Sequence, residues 1–181
     1  MTGMQRIKSQ ATAIPVLLGI SEEGPIHLAG LREPIDGLPH QVIPSLWNRF
    51  LPYQGWLPGQ KDKSSYGALF KRGSQGFDYL TAVEVTDFQR INDDWDCFDI
   101  PRQRYAVFPH QGHVSELRQT LHRVFAHSLP ALHLTPNRQG DESPLLLERY
   151  AESFDPRTGW GDIQVWVPLE RAETATMTGT L

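Results

Sequence analysis

A strand, a helix and a two-stranded hairpin are written twice along this chain, and that repetition constrains the fold more than any other feature of the sequence. In the first copy His27 to Ile35 predicts a strand. After the turn Gly37-Leu38-Pro39, the residues Val42, Ile43, Leu46, Trp47 and Phe50 recur at helical spacing, and Tyr66 to Lys71 with Phe77 to Val85 read as a hairpin turned by Gly73 and Gly76. In the second copy Gln103 to His110 is the strand, and Val114, Leu117, Leu121, Val124 and Phe125 form the apolar stripe of a helix ending before Pro130. Leu145 to Ala151 and Gly161 to Leu169 make the second hairpin, joined through Asp155-Pro156-Arg157-Thr158-Gly159. One such unit is too small to bury both faces of its own sheet. The expected fold is therefore α+β: duplicated β-α-β-β units with pseudo-twofold symmetry, antiparallel sheets with helices on one face, and a central cleft at the junction. The bounds read as an N-terminal arm over 1–24, a single domain over 25–171 with halves 25–92 and 98–171, and a tail over 172–181, both ends fraying.

Charge and cysteine content remove several classes of function. The 181 residues carry 17 Lys+Arg against 21 Asp+Glu, a formal net charge of −4, with no basic cluster of the kind that replaces phosphate counterions, so no direct nucleic-acid partner is expected. Cys97 is the only cysteine, which excludes an intramolecular disulfide and a multi-cysteine zinc site. Its acidic loop, Asn92 to Asp99, also disfavours a catalytic thiolate. The longest apolar stretch, Ala11 to Ile20, is far short of the roughly 20 residues that cross a bilayer. Pro15 interrupts it and no clean cleavage site follows Arg6 and Lys8, so the expectation is a cytoplasmic protein with no membrane partner. His113 reads as a helix-terminus cap, while His122 and His127, five apart on a helix, fall on different faces. No metal and no cofactor are expected. Trp95 reads as packing between the halves, with a lid over the cleft as the alternative, and Trp160 as an exposed turn residue.

Strand alternation sorts the side chains. Ile163, Val165 and Val167 face the helix, which leaves Gln164 and Trp166 opposite; Val83 and Val85 face the helix, which leaves Ala82 and Glu84 opposite. Pairing Leu145 and Leu147 with the helix side puts Leu146, Glu148 and Tyr150 on the other face, with Tyr66, Ala68 and Phe70 as their counterparts. The expected ligand-binding set is then Glu148, Glu84, Tyr66, Phe70, Tyr150 and Trp166, with Trp47 of the first helix. A carboxylate among aromatic rings loses hydration, and an organic cation is a natural replacement for that water.

Three stretches carry a family likeness. They are Tyr66-Gly67 with Gly76 to Val85, then Ile100-Pro101 through Arg104-Tyr105-Ala106-Val107-Phe108 to His113-Val114, then Leu147-Glu148-Arg149-Tyr150 through Asp155 to Gly159 and Val165-Trp166-Val167-Pro168. In these the chain resembles the gyrase-inhibitor-like small-molecule-binding family, which includes the effector-binding domains of AraC-type regulators and stand-alone integron cassette proteins that bind cationic drugs. The resemblance implies the duplicated α/β fold, and Glu148 as the ligand-facing buried acid with Tyr66, Glu84, Tyr150 and Trp166 around it. It implies a stand-alone effector-binding module for an amphipathic cationic molecule, used in transcriptional or drug-response sensing. Two alternatives remain open at this point: a small-molecule hydrolase with Glu148 and Tyr150 as catalytic groups, and a protein-interaction inhibitor of the gyrase-inhibitor type, with a protein partner or a homodimer. The connection Trp56 to Ser65, with Pro58, Gly59, Lys61 and Lys63, reads as a mobile flap.

Overall fold

The computed structural model describes residues 13–138 and 143–171. Its strands are β1 (Gly19–Glu23), β2 (Ile26–Pro34), β3 (Ser65–Arg72), β4 (Gly76–Glu84), β5 (Asp96–Ile100), β6 (Gln103–His110), β7 (Leu146–Tyr150) and β8 (Ile163–Pro168). All eight join one antiparallel sheet in the order β1-β6-β8-β7-β3-β4-β2-β5. Separate sheets for the two halves were expected. Instead the open edges of β3 and β7 satisfy each other's backbone groups, with Gly67 opposite Glu148 and Ala68 opposite Leu147, and the sheet runs on without a break. Outward from this seam the strands follow the same order on both sides, β7-β8-β6-β1 and β3-β4-β2-β5.

The outermost strands have no counterpart in the sequence reading. β1 lies inside the segment expected to be a loose arm, yet it pairs along β6 from Gly19↔Val107 to Glu23↔Gln103. β5 lies in the acidic linker and pairs with β2, placing Cys97 opposite Ala29. In both, tertiary pairing overrides local composition: each closes an otherwise bare strand edge. The expected fraying over 1–12 and 172–181 falls outside the described residues.

Helix α1 (Pro39–Phe50) starts with Pro39 in its first turn, where the missing N–H costs nothing, and carries Pro44 in its interior, where it does. Only Leu46 and Phe50 of this helix are buried. The second helical segment is capped as expected, the His113 side chain accepting from the Ser115 amide at 3.2 Å. It does not stop before Pro130. Helix α2 (Leu117–Arg123) widens into a π-turn at Val124–Ser128, and a last turn, α3 (Leu129–Ala131), takes Pro130 among its first residues. The wider turn also corrects the placement of His122 and His127: their rings come together, centroids 6.4 Å apart, because five residues nearly complete a turn there.

The two sheet faces are closed differently. Phe108, Val165 and Val167 pack with Leu117, Val124 and Leu129 of the second helical segment, and Val83 and Val85 pack with Phe50 of α1, so both helices cover one face. Among the described residues no helix covers the other face, yet Phe70, Leu80, Ala82, Tyr105 and Leu147 are fully buried there. The sheet curls, and this face fills its own hollow: Phe70 meets Phe98 at 4.1 Å and Tyr105 meets Trp166 at 5.4 Å between ring centroids.

Candidate functional site

The register divides the expected ligand-binding set between the two faces. Leu147 stands opposite both Ala68 and Trp166, while Glu148 stands opposite Gly67 and Val165. Tyr66, Phe70, Glu84 and Trp166 therefore lie on the helix-free face, as alternation predicts, but Glu148 and Tyr150 lie under the helices, together with Trp47 of α1. The phase of β7 is the reverse of the expected one. Leu145-Leu146-Leu147 supplies an apolar residue to either phase, so alternation alone cannot set it; the cross-strand partners do.

Under the helices a small polar cluster surrounds Glu148. Its Oε2 accepts from the Tyr79 hydroxyl at 2.5 Å and the Tyr150 hydroxyl at 2.9 Å. The Trp47 indole N–H donates to the Tyr79 oxygen at 3.3 Å, and the Trp47 ring stands edge-on to Tyr150, 5.0 Å between centroids. Burial raises the Glu148 carboxyl above its ordinary value, and the two tyrosine hydroxyls offset part of that rise. Burial first, then the adjacent carboxylate, holds Tyr79 and Tyr150 well above the usual phenol range, so both keep the protons they donate. Among the described residues no lysine, arginine or histidine forms an ion pair with Glu148. The cluster is an acceptor without a cation.

Two members of this cluster, Tyr79 and Gly67, belong to the stretches that carry the family likeness but not to the expected ligand-binding set. A Cβ at Gly67 would stand 1.9 Å from the Tyr79 hydroxyl, so a glycine is what lets Tyr79 of β4 reach across β3 to β7. The signal was present: placing Val83 and Val85 under the helix puts Tyr79, an even number of residues away, there too.

On the helix-free face Tyr66, Glu84 and Trp166 line an open cleft of about 360 Å³ with Lys61 and Arg149. Glu84 is already paired: Lys61 Nζ lies 2.6 Å from its Oε1, and the Tyr66 hydroxyl reaches its Oε2 at 3.4 Å. Burial pushes Tyr66 up to about 12. Arg149 donates to Ser64 Oγ at 3.0 Å. Phe70 is no part of this cleft; it is sealed in the core, with the Arg32 guanidinium 5.4 Å from its ring. The expected flap is tied down, Gly59 O accepting from Thr86 N and Glu84 O from Lys61 N, each at 2.9 Å. No three or more His, Cys, Asp or Glu side chains among the described residues are grouped to hold a metal ion. Nor is any helix among them long and apolar enough to cross a membrane.

A curled antiparallel sheet with the helices on one face is an α+β architecture, and the family match gives its class as effector-binding. The chain belongs to the Cass2 family, the integron-associated effector binding proteins, whose pattern matches residues 19–169. It is 26% identical over 132 residues to the transcriptional regulator BrlR of Pseudomonas aeruginosa, a match covering 72% of this chain and 47% of the regulator, so the chain spans about half that relative's length. Among solved structures it resembles SAV2435 bound to tetraphenylphosphonium, with a TM-score of 0.67 at 18% identity over 84% of this chain and 93% of the other. A bacterial transcription regulation protein from Staphylococcus aureus MU50 gives 0.63 at 18% identity over 84% and 97%. The Vibrio cholerae integron cassette protein VCH_CASS2 gives 0.52 at 14% identity over 87% and 100%. At these identities the structural likenesses concern the fold.

Proposed function

We infer that this chain is an effector-binding module that takes an amphipathic organic cation on the helix side of the sheet, with Glu148 as its charge partner and Trp47 and Tyr150 as ring walls. The observation that carries the reading is the Glu148 carboxylate, buried, held by two tyrosine hydroxyls and, among the described residues, paired with no cation. A carboxylate removed from water and left unpaired is costly, and a cation whose apolar groups pack on the rings relieves that cost. Glu148 is buried and lines neither open cleft, and Trp47 packs on the two tyrosines that hold it; on this reading a cation enters as α1 swings outward. The attachment of α1 suits that motion, because its interior proline leaves one helical hydrogen bond unmade and only two of its side chains are buried. The regulator among the relatives, and the tetraphenylphosphonium in SAV2435, support a sensing role for a lipophilic cation.

Titration with tetraphenylphosphonium tests this. The native protein binds it, and Glu148→Gln weakens binding by about tenfold or more, the scale of one desolvated charge contact. Affinity rises with pH as the raised Glu148 carboxyl ionises, and levels off above its value. Equal affinities for the two proteins, or no dependence on pH in that range, would sink the assignment of Glu148.

A further inference from the structure

The structure holds a second aromatic cleft, remote from the carboxylate of Glu148, that no part of the function above uses. It opens at the C-terminal end of α1 and encloses about 630 Å³, within the range of small-molecule sites. Tyr53, Trp56 and Trp95 supply its rings and Asp94 a carboxylate. One wall is fixed: Trp95 stands edge-on to Tyr53 at 5.0 Å and to Phe50, itself fully buried, at 6.1 Å. Trp56 also lines the cleft and is 83% exposed, the most solvent-exposed of the chain's large apolar residues that are described. A tryptophan left in water at the rim of a ring-lined cleft gives up the burial that normally decides where such a residue sits.

The charges of the cleft select the ligand. Arg49 is neutralised by an ion pair with Glu33. Asp94 accepts from the Asn92 amide at 3.1 Å and, among the described residues, makes no ion pair. Rings attract cations through their faces, and an unpaired carboxylate beside them adds to that attraction. The geometry points to this cleft as a second binding site, for a flat organic cation sandwiched between Trp56 and the Tyr53–Trp95 wall, with Asp94 as counter-ion. The two sites share α1: Trp47 stands 6.2 Å from Phe50, so an edge-to-face row from Tyr53 through Trp95, Phe50 and Trp47 to Tyr150 links the cleft to the buried acid.

Equilibrium dialysis with ethidium tests the site without reliance on Glu148. In Glu148→Gln protein one ethidium per chain still binds, and adding Trp56→Ala or Asp94→Asn weakens it by about threefold, as loss of one solvent-exposed cation contact does. Trp56 is exposed, so its truncation leaves the core intact, and circular dichroism checks the fold. Ethidium binding that vanishes with Glu148→Gln alone overturns the idea of a separate site. Binding that survives but ignores both further substitutions overturns the placement, and sensitivity to Trp56 without sensitivity to Asp94 overturns the cationic class.

Discussion

At Gly67 a side chain is excluded because the Tyr79 hydroxyl and Glu148 Oε2 already occupy the place where one would stand, 1.9 and 2.6 Å from an added Cβ. That crowding fixes the carboxylate, and the carboxylate in turn sets how the protein responds to pH. Burial raises the Glu148 carboxyl, so the native state keeps a proton that the unfolded chain has already released. The contribution of Glu148 to stability is therefore fully present below the ordinary value of 4.5 and is lost as pH rises through the raised one. A glutamine has no proton to lose, and its oxygen still accepts from both tyrosines. Without ligand, Glu148→Gln is expected to melt several degrees above the native protein at neutral pH, the two curves converging in acid. Thermal melts at a series of pH values check this, and a gap that is the same at every pH would contradict it.

Helix α1 is the element whose movement the proposed entry of a cation requires. Pro44 is exposed and contributes no packing, so Pro44→Ala restores a backbone hydrogen bond and is expected to stabilise the protein by about 1 kcal/mol or more. If α1 swings to admit a cation, the same substitution slows tetraphenylphosphonium association by about tenfold in stopped-flow fluorescence, with the final complex little changed in structure. An unchanged association rate would mean that the cation reaches Glu148 without moving this helix. The elements also show what a single sequence discloses. Both helices, both hairpins and β2 and β6 were legible, because each has its own periodicity or turn residues. β1 and β5 were not, since each is a strand only by virtue of the edge it covers. The face assignments of β4 and β8 followed from Val83 with Val85 and from Val165 with Val167, whereas the triple leucine before Glu148 hid the phase of β7. The acid was legible as a residue, its setting with Tyr79 and Gly67 was not.

For the molecule as a whole, the pairing of β3 with β7 leads to the expectation that both sides of the sheet unfold together. Tyr66, Ala68 and Phe70 from one half pack in the same cluster as Tyr105, Val107 and Leu147 from the other. Phe70→Ala should cost about 3 to 5 kcal/mol and lower the urea midpoint seen by tryptophan fluorescence and by far-ultraviolet circular dichroism to the same degree. Separated midpoints would show the halves unfolding independently. The seam was not foreseen, because nothing local in β3 or β7 names its partner.

Glu148 and Arg149 are neighbours in the chain, yet one points into the tyrosine cluster beneath the helices and the other toward the cleft behind the sheet. Losing or gaining a single codon within β7 would exchange them, driving a guanidinium into the tyrosine nest and an acid out beside Lys61. Over this short span the number of residues therefore matters to the site as much as their identity.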